Sequence, residues 1–189
     1  MKNDKSYLRK RFLLKRKKKY LNPDKFNFNL IFRLIKKHFN KKKITIAGYY
    51  PSNYEVNILN FLELASKRKF KIALPVMTSS VSMTFKSWII KEPLYVSKFG
   101  ILEPKYMKKE IIPDFILVPL VVFDKELNRI GYGKGYYDRS LKKIKKLKKK
   151  VISLGIAHSF QKYKNIPVNK YDFKLDYIFT ERGIISSQK

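Results

Sequence analysis

The sequence predicts an α/β fold: a single domain with a mostly parallel sheet, helices on both of its faces, and a glycine-rich loop between a central strand and a helix. Segments of helical periodicity alternate with short β-branched apolar runs, and this order builds parallel sheets. One run, residues 115–123, is apolar throughout, as expected of a strand covered on both faces. With 189 residues, of which 44% are hydrophobic, the chain can build one sizeable core, so we expect one domain over residues 1–189.

Two helices are predicted to open the chain. Residues 5–20 are strongly basic, and Leu8, Phe12 and Leu13 give them a narrow apolar stripe. Asn22-Pro23 then offers an N-cap followed by proline at the first position of a second helix. Apolar residues recur in that second helix at helical spacing: Ile31, Leu34, Ile35 and Phe39.

The remaining elements alternate between strand and helix. Residues 44–50 and 71–77 are predicted strands, and between them Ser52 and Glu55 have the spacing of a capping box that would open a helix with Val56, Leu59 and Leu62 on its inner face. Residues 83–90 are a further predicted strand, and residues 115–123 form the central one. A helix is expected from Tyr136 into the lysine run 142–150, followed by late strands at 151–157 and 177–180.

The formal net charge of +30 is the most unusual bulk property. Clustered cations bind nucleic acid through phosphates, so an RNA-binding module is one reading of this charge. However, 36 of the 44 basic residues are lysine, and no nucleic-acid-binding motif is present. We therefore expect no nucleic-acid partner, and a field that concentrates small anionic substrates. The absence of cysteine and of a membrane-spanning or secretory segment predicts a cytoplasmic protein.

A glycine loop follows the central strand. Residues 128–138 read NRIGYGKGYYD, and three of the seven glycines stand at alternate positions there: Gly131, Gly133 and Gly135. A strand that leads through glycines into a helix can direct backbone N–H groups at an anion, and glycine permits both close approach and positive φ. The spacing fits neither the P-loop nor the dinucleotide-binding pattern. A phosphate cradle and a tight structural turn are both compatible with it.

The longer stretch 123–141, FDKELNRIGYGKGYYDRSL, closely resembles the signature of 5-formyltetrahydrofolate cyclo-ligases, also called methenyltetrahydrofolate synthetases. The resemblance covers nearly the whole chain. It includes Lys5-Ser-Tyr-Leu-Arg9 as the family's basic opening, residues 50–55 as its folate-contacting turn, Gly100-Ile-Leu-Glu103-Pro104 as its central element, and Gln161, Pro167, Asp172, Asp176 and Thr180-Glu181 in its closing order. Lys134 departs from the pattern, because many bacterial members have glycine there.

The resemblance implies an activity and two cofactors, ATP and Mg²⁺. In the family, ATP phosphorylates the formyl oxygen of 5-formyltetrahydrofolate, N10 attacks the activated carbon, and 5,10-methenyltetrahydrofolate, ADP and phosphate result. Such chemistry depends on positioning and charge neutralisation. The implied partner is this folate, with or without a polyglutamate tail, bound by a monomer. An RNA-binding module and a folate-binding homologue without catalysis are the alternatives.

The resemblance also implies roles for individual residues. Catalysis is assigned to Arg129, Lys134 and Tyr136. ATP binding is assigned to Lys5, Arg9, Arg129, Gly131, Tyr132, Gly133, Lys134, Gly135, Tyr136 and Tyr137. Folate binding is assigned to Tyr50, Glu55, Tyr132, Gly133, Lys134, Gly135 and Tyr136, and Mg²⁺ binding to Asp138 and Asp172. Several have a structural alternative: Glu55 as a capping-box residue, Asp138 as a partner of the helix dipole, Asp172 as an N-cap, and the tyrosines as half-buried aromatics. In the basic first helix, Lys2 or Lys10 could take the part of Lys5 or Arg9.

Overall fold

A computed structural model describes residues 4–20, 25–40, 43–148 and 150–187. The α-helices in these ranges are α1 (Lys5–Lys19), α2 (Asn29–Phe39), α3 (Leu59–Lys67) and α4 (Tyr136–Leu147). The strands are β1 (Thr45–Ala47), β2 (Lys71–Met77), β3 (Met83–Ser87), β4 (Tyr95–Val96), β5 (Leu102–Glu103), β6 (Phe115–Pro119), β7 (Val122–Phe123), β8 (Arg129–Ile130), β9 (Ile152–Ile156), β10 (Tyr177–Thr180) and β11 (Gly183–Ser186). A short 3-10 helix spans Ser159–Gln161.

Seven strands form one sheet in the order β11-β10-β9-β6-β1-β2-β3. The five interior strands are parallel to their interior neighbours, and the edge strands β3 and β11 are antiparallel. Two small antiparallel pairs, β4 with β5 and β7 with β8, lie outside this sheet. The predicted mostly parallel α/β sheet is therefore confirmed.

Helices cover both faces of the sheet, which explains the continuous apolar run of β6. Phe115 and Leu117 belong to the core cluster under α2 and α3, whereas Ile116 and Val118 belong to the cluster under α4. All four side chains are fully buried. A strand with solvent on one face would alternate apolar and polar residues, whereas β6 is apolar on both faces because both are covered by helices.

Several predicted boundaries are wrong in informative ways. The run 115–123 splits into β6 and β7, because the chain leaves the sheet at Leu120 and Val121, whose carbonyls accept hydrogen bonds from the Gln161 side chain at 3.0 and 2.9 Å. Strand β1 is shorter than the predicted 44–50, and β3 ends at Ser87 rather than at Ile90. The expected cap at Asn22-Pro23 lies outside the described residues, and α2 begins at Asn29.

The segment after β1 is a turn rather than the predicted helix start. Glu55 does accept the Ser52 backbone N–H at 2.9 Å, the contact of a capping box. However, Asn53 and Tyr54 have positive φ angles of 47° and 61°, which a right-handed helix excludes. Helix α3 starts only at Leu59, so Glu55 does not lie at a helix end, and its side chain is buried in the interior.

Helix α1 packs on the β7–β8 hairpin rather than on the large sheet. Leu8 and Phe12 are buried against Val122 and Ile130 in a separate apolar cluster. The hairpin leads directly into the glycine loop and α4. This packing holds one face of α1 against the loop.

The sheet order creates a crevice between β1 and β6. From β1 the chain passes through α3 to β2 on one side, and from β6 it passes through α4 to β9 on the other, with the two helices on opposite faces. Ligands of open α/β sheets bind outside the carboxyl ends of the strands at such a switch point. The turn holding Glu55 follows β1, and the glycine loop follows β6 and the hairpin. Within the described ranges, no helix is both long and apolar enough to cross a bilayer.

Candidate active site

A hydrogen-bonded chain of three side chains closes the crevice. The Tyr132 hydroxyl donates to Glu55 Oε1 at 2.7 Å and accepts from Arg16 Nη2 at 2.5 Å. These residues come from the glycine loop, the turn after β1 and helix α1, and their positions lie 77 and 116 residues apart in sequence. The turn predicted to bind folate and the glycine loop predicted to bind both ATP and folate are thus in direct contact.

Glu55 is a buried carboxylate that acts only as an acceptor. It is 8% exposed, and its Oε2 accepts the Ser52 backbone N–H at 2.9 Å. Burial raises the pKa of Glu55, while the hydrogen bonds from Tyr132 and Ser52 and the charge of Arg16 oppose that rise. A buried carboxylate with its own network of donors is a suitable acceptor for N–H groups of a heterocyclic ligand.

The glycine loop has a backbone that other residues would not readily adopt. Gly133 has φ +99°, and Gly135, the residue before α4, is left-handed at φ +67°. Arg9 caps the loop: its Nε donates to the Gly131 carbonyl at 2.8 Å, and its guanidinium carbon is 3.2 Å from where a Gly133 Cβ would stand. A loop with these conformations, an adjoining helix N-terminus and a fixed guanidinium fits an anion such as phosphate.

Arg129 and Asp138 form an ion pair behind the loop. Arg129 Nη2 lies 2.7 Å from Asp138 Oδ1, and the arginine side chain is only 3% exposed. Asp138 also accepts the Phe173 backbone N–H at 3.0 Å, and Arg129 donates to the Phe173 carbonyl. Burial lowers the pKa of Arg129, and the Asp138 carboxylate opposes that shift. The pair ties β8, α4 and the segment near Phe173 together.

Asp172, the second predicted magnesium ligand, is also paired with a cation. It forms an ion pair with Lys5, and its carboxylate accepts the Asn169 backbone N–H at 2.7 Å. Its charge, like that of Asp138, opposes the lowering of the Arg129 pKa by burial. In the described part of the chain, no three His, Asp or Glu side chains form a metal cluster. Two carboxylates fit Mg²⁺ carried on nucleotide phosphates, not a metal held by protein alone.

The other predicted residues surround the loop at different depths. Tyr136 donates to the Ser79 carbonyl at 3.3 Å, which brings the segment after β2 to the loop. The Tyr137 hydroxyl is buried without a hydrogen-bond partner among the described residues, and burial raises its pKa, with Glu55 adding to the rise. Lys134 is exposed, and its carbonyl accepts from Arg139 Nη2 at 2.6 Å. Tyr50 is partly buried directly beyond β1.

Comparison with known proteins gives a family match over most of the chain. The family model described as "5-formyltetrahydrofolate cyclo-ligase family" matches residues 1–181. The chain belongs to the 5-formyltetrahydrofolate cyclo-ligase family. It is similar to the 5-formyltetrahydrofolate cyclo-ligase of Mycoplasma genitalium, with 33% identity over 182 residues that cover 93% of this chain and 96% of the relative.

Two solved structures of cyclo-ligase relatives share the fold. The NMR structure of the Aquifex aeolicus 5,10-methenyltetrahydrofolate synthetase matches with a TM-score of 0.75 and 29% identity, covering 98% of this chain and 93% of that one. The structure of the Mycoplasma pneumoniae 5,10-methenyltetrahydrofolate synthetase matches with a TM-score of 0.69 and 28% identity, covering 94% and 99%. The enzyme class predicted from the sequence is confirmed by this membership.

The buried charged residues Arg16 and Glu103 were not among the predicted site residues. Arg16 is 2% exposed and joins the chain of contacts that ends at Glu55. Its position, four residues after buried Phe12 and seven after Arg9, already placed it on the inner face of α1. Glu103 is 9% exposed, and its carboxylate accepts the Met77 backbone N–H at 3.1 Å at the end of β2. The sequence signal that could have identified Glu103 is the Gly100-Ile-Leu-Glu103-Pro104 element, which resembles the central element of the family.

Proposed function

We propose that the protein catalyses the ATP- and Mg²⁺-dependent cyclisation of 5-formyltetrahydrofolate to 5,10-methenyltetrahydrofolate, with release of ADP and phosphate. Family membership supports the reaction class. The observation that supports the use of this site is the 2.7 Å hydrogen bond between Tyr132 of the glycine loop and Glu55. It joins a candidate phosphate cradle to a candidate folate acceptor in one crevice, as a reaction between nucleotide and folate requires.

The proposed chemistry activates a poor electrophile. The N5-formyl group is an amide, so its oxygen first takes the terminal phosphoryl group of ATP. N10 then attacks the formyl carbon, the C–O bond breaks, and phosphate leaves with the former formyl oxygen while the five-membered ring closes. Negative charge accumulates on the phosphoryl oxygens, and fixed donors that neutralise it contribute most of the rate.

Residues around the loop are proposed to supply those donors. The backbone N–H groups of Gly131, Gly133 and Gly135 and the side chains of Arg9 and Lys134 would bind the phosphates. Lys5, Tyr132, Tyr136 and Tyr137 complete the proposed ATP site. Arg129 acts on the phosphates through its pair with Asp138, since its own side chain is only 3% exposed. Mg²⁺ supplies charge neutralisation when bound, and Asp138 and Asp172 would hold it.

Tyr50 and Glu55 are proposed to bind the folate side. A buried carboxylate that can only accept hydrogen bonds matches the N–H donors of a reduced pterin, and Glu55 is such a group. Polyglutamate tails would be attracted by the general positive charge. The proposal takes residues 1–189 as one domain and a monomer as the working unit. The cytoplasm is its proposed compartment.

The test mixes pure protein, Mg-ATP and 5-formyltetrahydrofolate and follows the near-ultraviolet absorbance of the methenyl product. We expect absorbance that grows only when ATP is present, with one ADP formed per product. The exposed Glu126→Gln variant is a matched control that should retain full activity. Folded wild-type protein that binds the folate without ATP-dependent product would be a non-catalytic homologue. Salt-sensitive RNA binding in place of folate binding would support an RNA-binding module.

A further inference from the structure

Arg16 is the most deeply buried basic side chain at the candidate site. It lies on the face of α1 that packs against the β7–β8 hairpin, and it is 2% exposed. Nη1 donates to the Leu120 carbonyl at 3.3 Å, Nη2 donates to the Tyr132 hydroxyl at 2.5 Å, and the guanidinium carbon is 5.7 Å from the centre of the Tyr132 ring. Its Nε is buried without a hydrogen-bond partner among the described residues.

Burying this guanidinium needs a compensating anion, because an isolated buried charge is strongly unfavourable. Among the residues that the structure describes, no carboxylate forms an ion pair with Arg16; Glu55 is reached through the Tyr132 hydroxyl. The charges of Arg16 and Glu55 therefore cancel, but the Tyr132 hydroxyl lies between the two groups. The charge of Arg16 thus reaches Glu55 through a hydrogen bond that also fixes the Tyr132 hydroxyl.

The two hydrogen bonds fix the direction of the tyrosine proton. Arginine can only donate, so the Tyr132 oxygen accepts from Nη2, and its own proton must point to Glu55 Oε1. Glu55 Oε2 is meanwhile occupied by the Ser52 N–H. Both carboxylate oxygens are thus held by donors, and the remaining acceptor directions of Glu55 are fixed in space.

We propose that Arg16 is a positioning residue: acting through Tyr132, it holds Glu55 ionised and oriented as the acceptor for the N–H groups of the bound folate. This inference rests on the proposed function, which assigns Glu55 to the folate. It assigns no contact between Arg16 and substrate. The role differs from that of Arg9 and Lys5, whose partners are the Gly131 carbonyl and Asp172.

The groups that face Glu55 allow this role to be tested by pH. Tyr132 comes from the loop, Tyr49 from the end of β1, Tyr137 from α4, and Arg16 from α1. Burial raises the pKa of the three tyrosine hydroxyls, so they stay neutral in the assay range. Arg16 is the only cation of the four. Removing its charge therefore raises the pKa of Glu55, and the acidic limb of the pH profile moves to higher pH.

The experiment compares Arg16→Met, Arg16→Lys and Tyr132→Phe with Arg11→Met, an exposed arginine on the same helix. The pH dependence of kcat/KM and the affinity for 5-formyltetrahydrofolate without ATP are measured for each. We expect Arg16→Met to lower kcat/KM at neutral pH about 10- to 100-fold and to move the acidic limb upward. Arg16→Lys keeps the charge, so its limb should stay near that of the wild type. Arg11→Met should change neither quantity.

A double variant, Arg16→Met with Tyr132→Phe, separates positioning from packing. Because both residues act on Glu55 in series, the double variant should lose little more than the worse single variant. A limb that does not move in Arg16→Met, or losses that multiply, would show that Arg16 only anchors α1. If Arg16→Met does not fold, Tyr132→Phe, which removes the hydrogen bond to Glu55, should move the limb upward while Arg16→Lys leaves it in place, and a limb unmoved in Tyr132→Phe would count against the proposal.

Folate affinity distinguishes this inference from the proposed function. Wild-type protein that binds 5-formyltetrahydrofolate with a Glu55-dependent acidic limb but makes no product would refute the catalytic proposal and leave the role of Arg16 in place. Turnover with an unshifted limb in Arg16→Met would refute the role of Arg16 alone. Wild-type protein that neither binds nor converts the folate would refute both.

Discussion

The ion pair between Arg129 and Asp138 predicts that Asp138→Asn destabilises the protein even without metal or nucleotide. The Arg129 side chain is 3% exposed and the Asp138 side chain is 27% exposed, with 2.7 Å between Nη2 and Oδ1. Removing one partner of a buried pair costs about 3–5 kcal/mol. Asparagine still accepts the Phe173 N–H, and water reaches Asp138, so we expect a loss of about 2 kcal/mol in the free energy of unfolding.

The measurement is urea unfolding followed by circular dichroism in a chelating buffer at pH 7. For a chain of this size, the expected loss corresponds to a fall in Tm of roughly 4–8 °C. Glu126→Gln is the matched control, since its carboxylate lies 3.9 and 4.0 Å from two lysines at an exposed site and should contribute below about 0.5 kcal/mol. An Asp138→Asn variant as stable as the wild type would refute the reasoning. A carboxylate held only for metal would behave that way, since removing it relieves charge in the metal-free protein.

Three further predictions follow from other contacts. Activity of the wild type should fall as pH drops through the raised pKa of Glu55, because the protonated carboxyl loses an acceptor; Glu55→Gln should show no such limb in the little activity it retains. Gly133→Ala should cost about 1–2 kcal/mol of stability, because φ is +99° and the new methyl meets Arg9. The same variant should raise the KM for Mg-ATP by a larger factor than the KM for folate, and equal increases in the two KM values would contradict the assignment of the loop to phosphate. Burial raises the pKa of Glu103 above 4.5, so ionised Glu103 opposes folding, and wild-type stability falls as pH rises from the unfolded-state pKa through the raised folded-state pKa. Glu103→Gln should therefore gain Tm relative to the wild type over that window, and a difference that stays constant from about pH 4 upward would count against this.

The elements that local pattern defines were predicted well. Strand β2 matches the predicted residues 71–77, and α4 begins at the predicted Tyr136. The sequence signal for each element is local: β-branched apolar residues in β2, and Gly135 directly before α4, where the backbone is left-handed. The mostly parallel sheet also followed, because alternating helices and strands leave few other arrangements.

Features set by distant residues were missed. The Ser52–Glu55 contact closes a turn as well as it caps a helix, and the choice depends on the burial of Glu55 against Tyr132, 77 residues away. The break after β6 depends in the same way on the Gln161 amide, 40 and 41 residues away. For the site, the family resemblance supplied the residues, whereas only the fold revealed that Arg16 reaches Tyr132.

Helix α1 makes its contacts with the site across most of the polypeptide. Its Lys5 pairs with Asp172 at a separation of 167 positions, Arg9 with Gly131 at 122, and Arg16 with Tyr132 at 116. During synthesis α1 is made before all three of these partners, which follow it at separations of 116 to 167 positions. Docking of α1 is therefore a late, long-loop closure in folding, and the nascent chain carries an unattached basic helix until then. Because Lys5, Arg9 and Arg16 all belong to α1, the candidate site is complete only after this helix has docked.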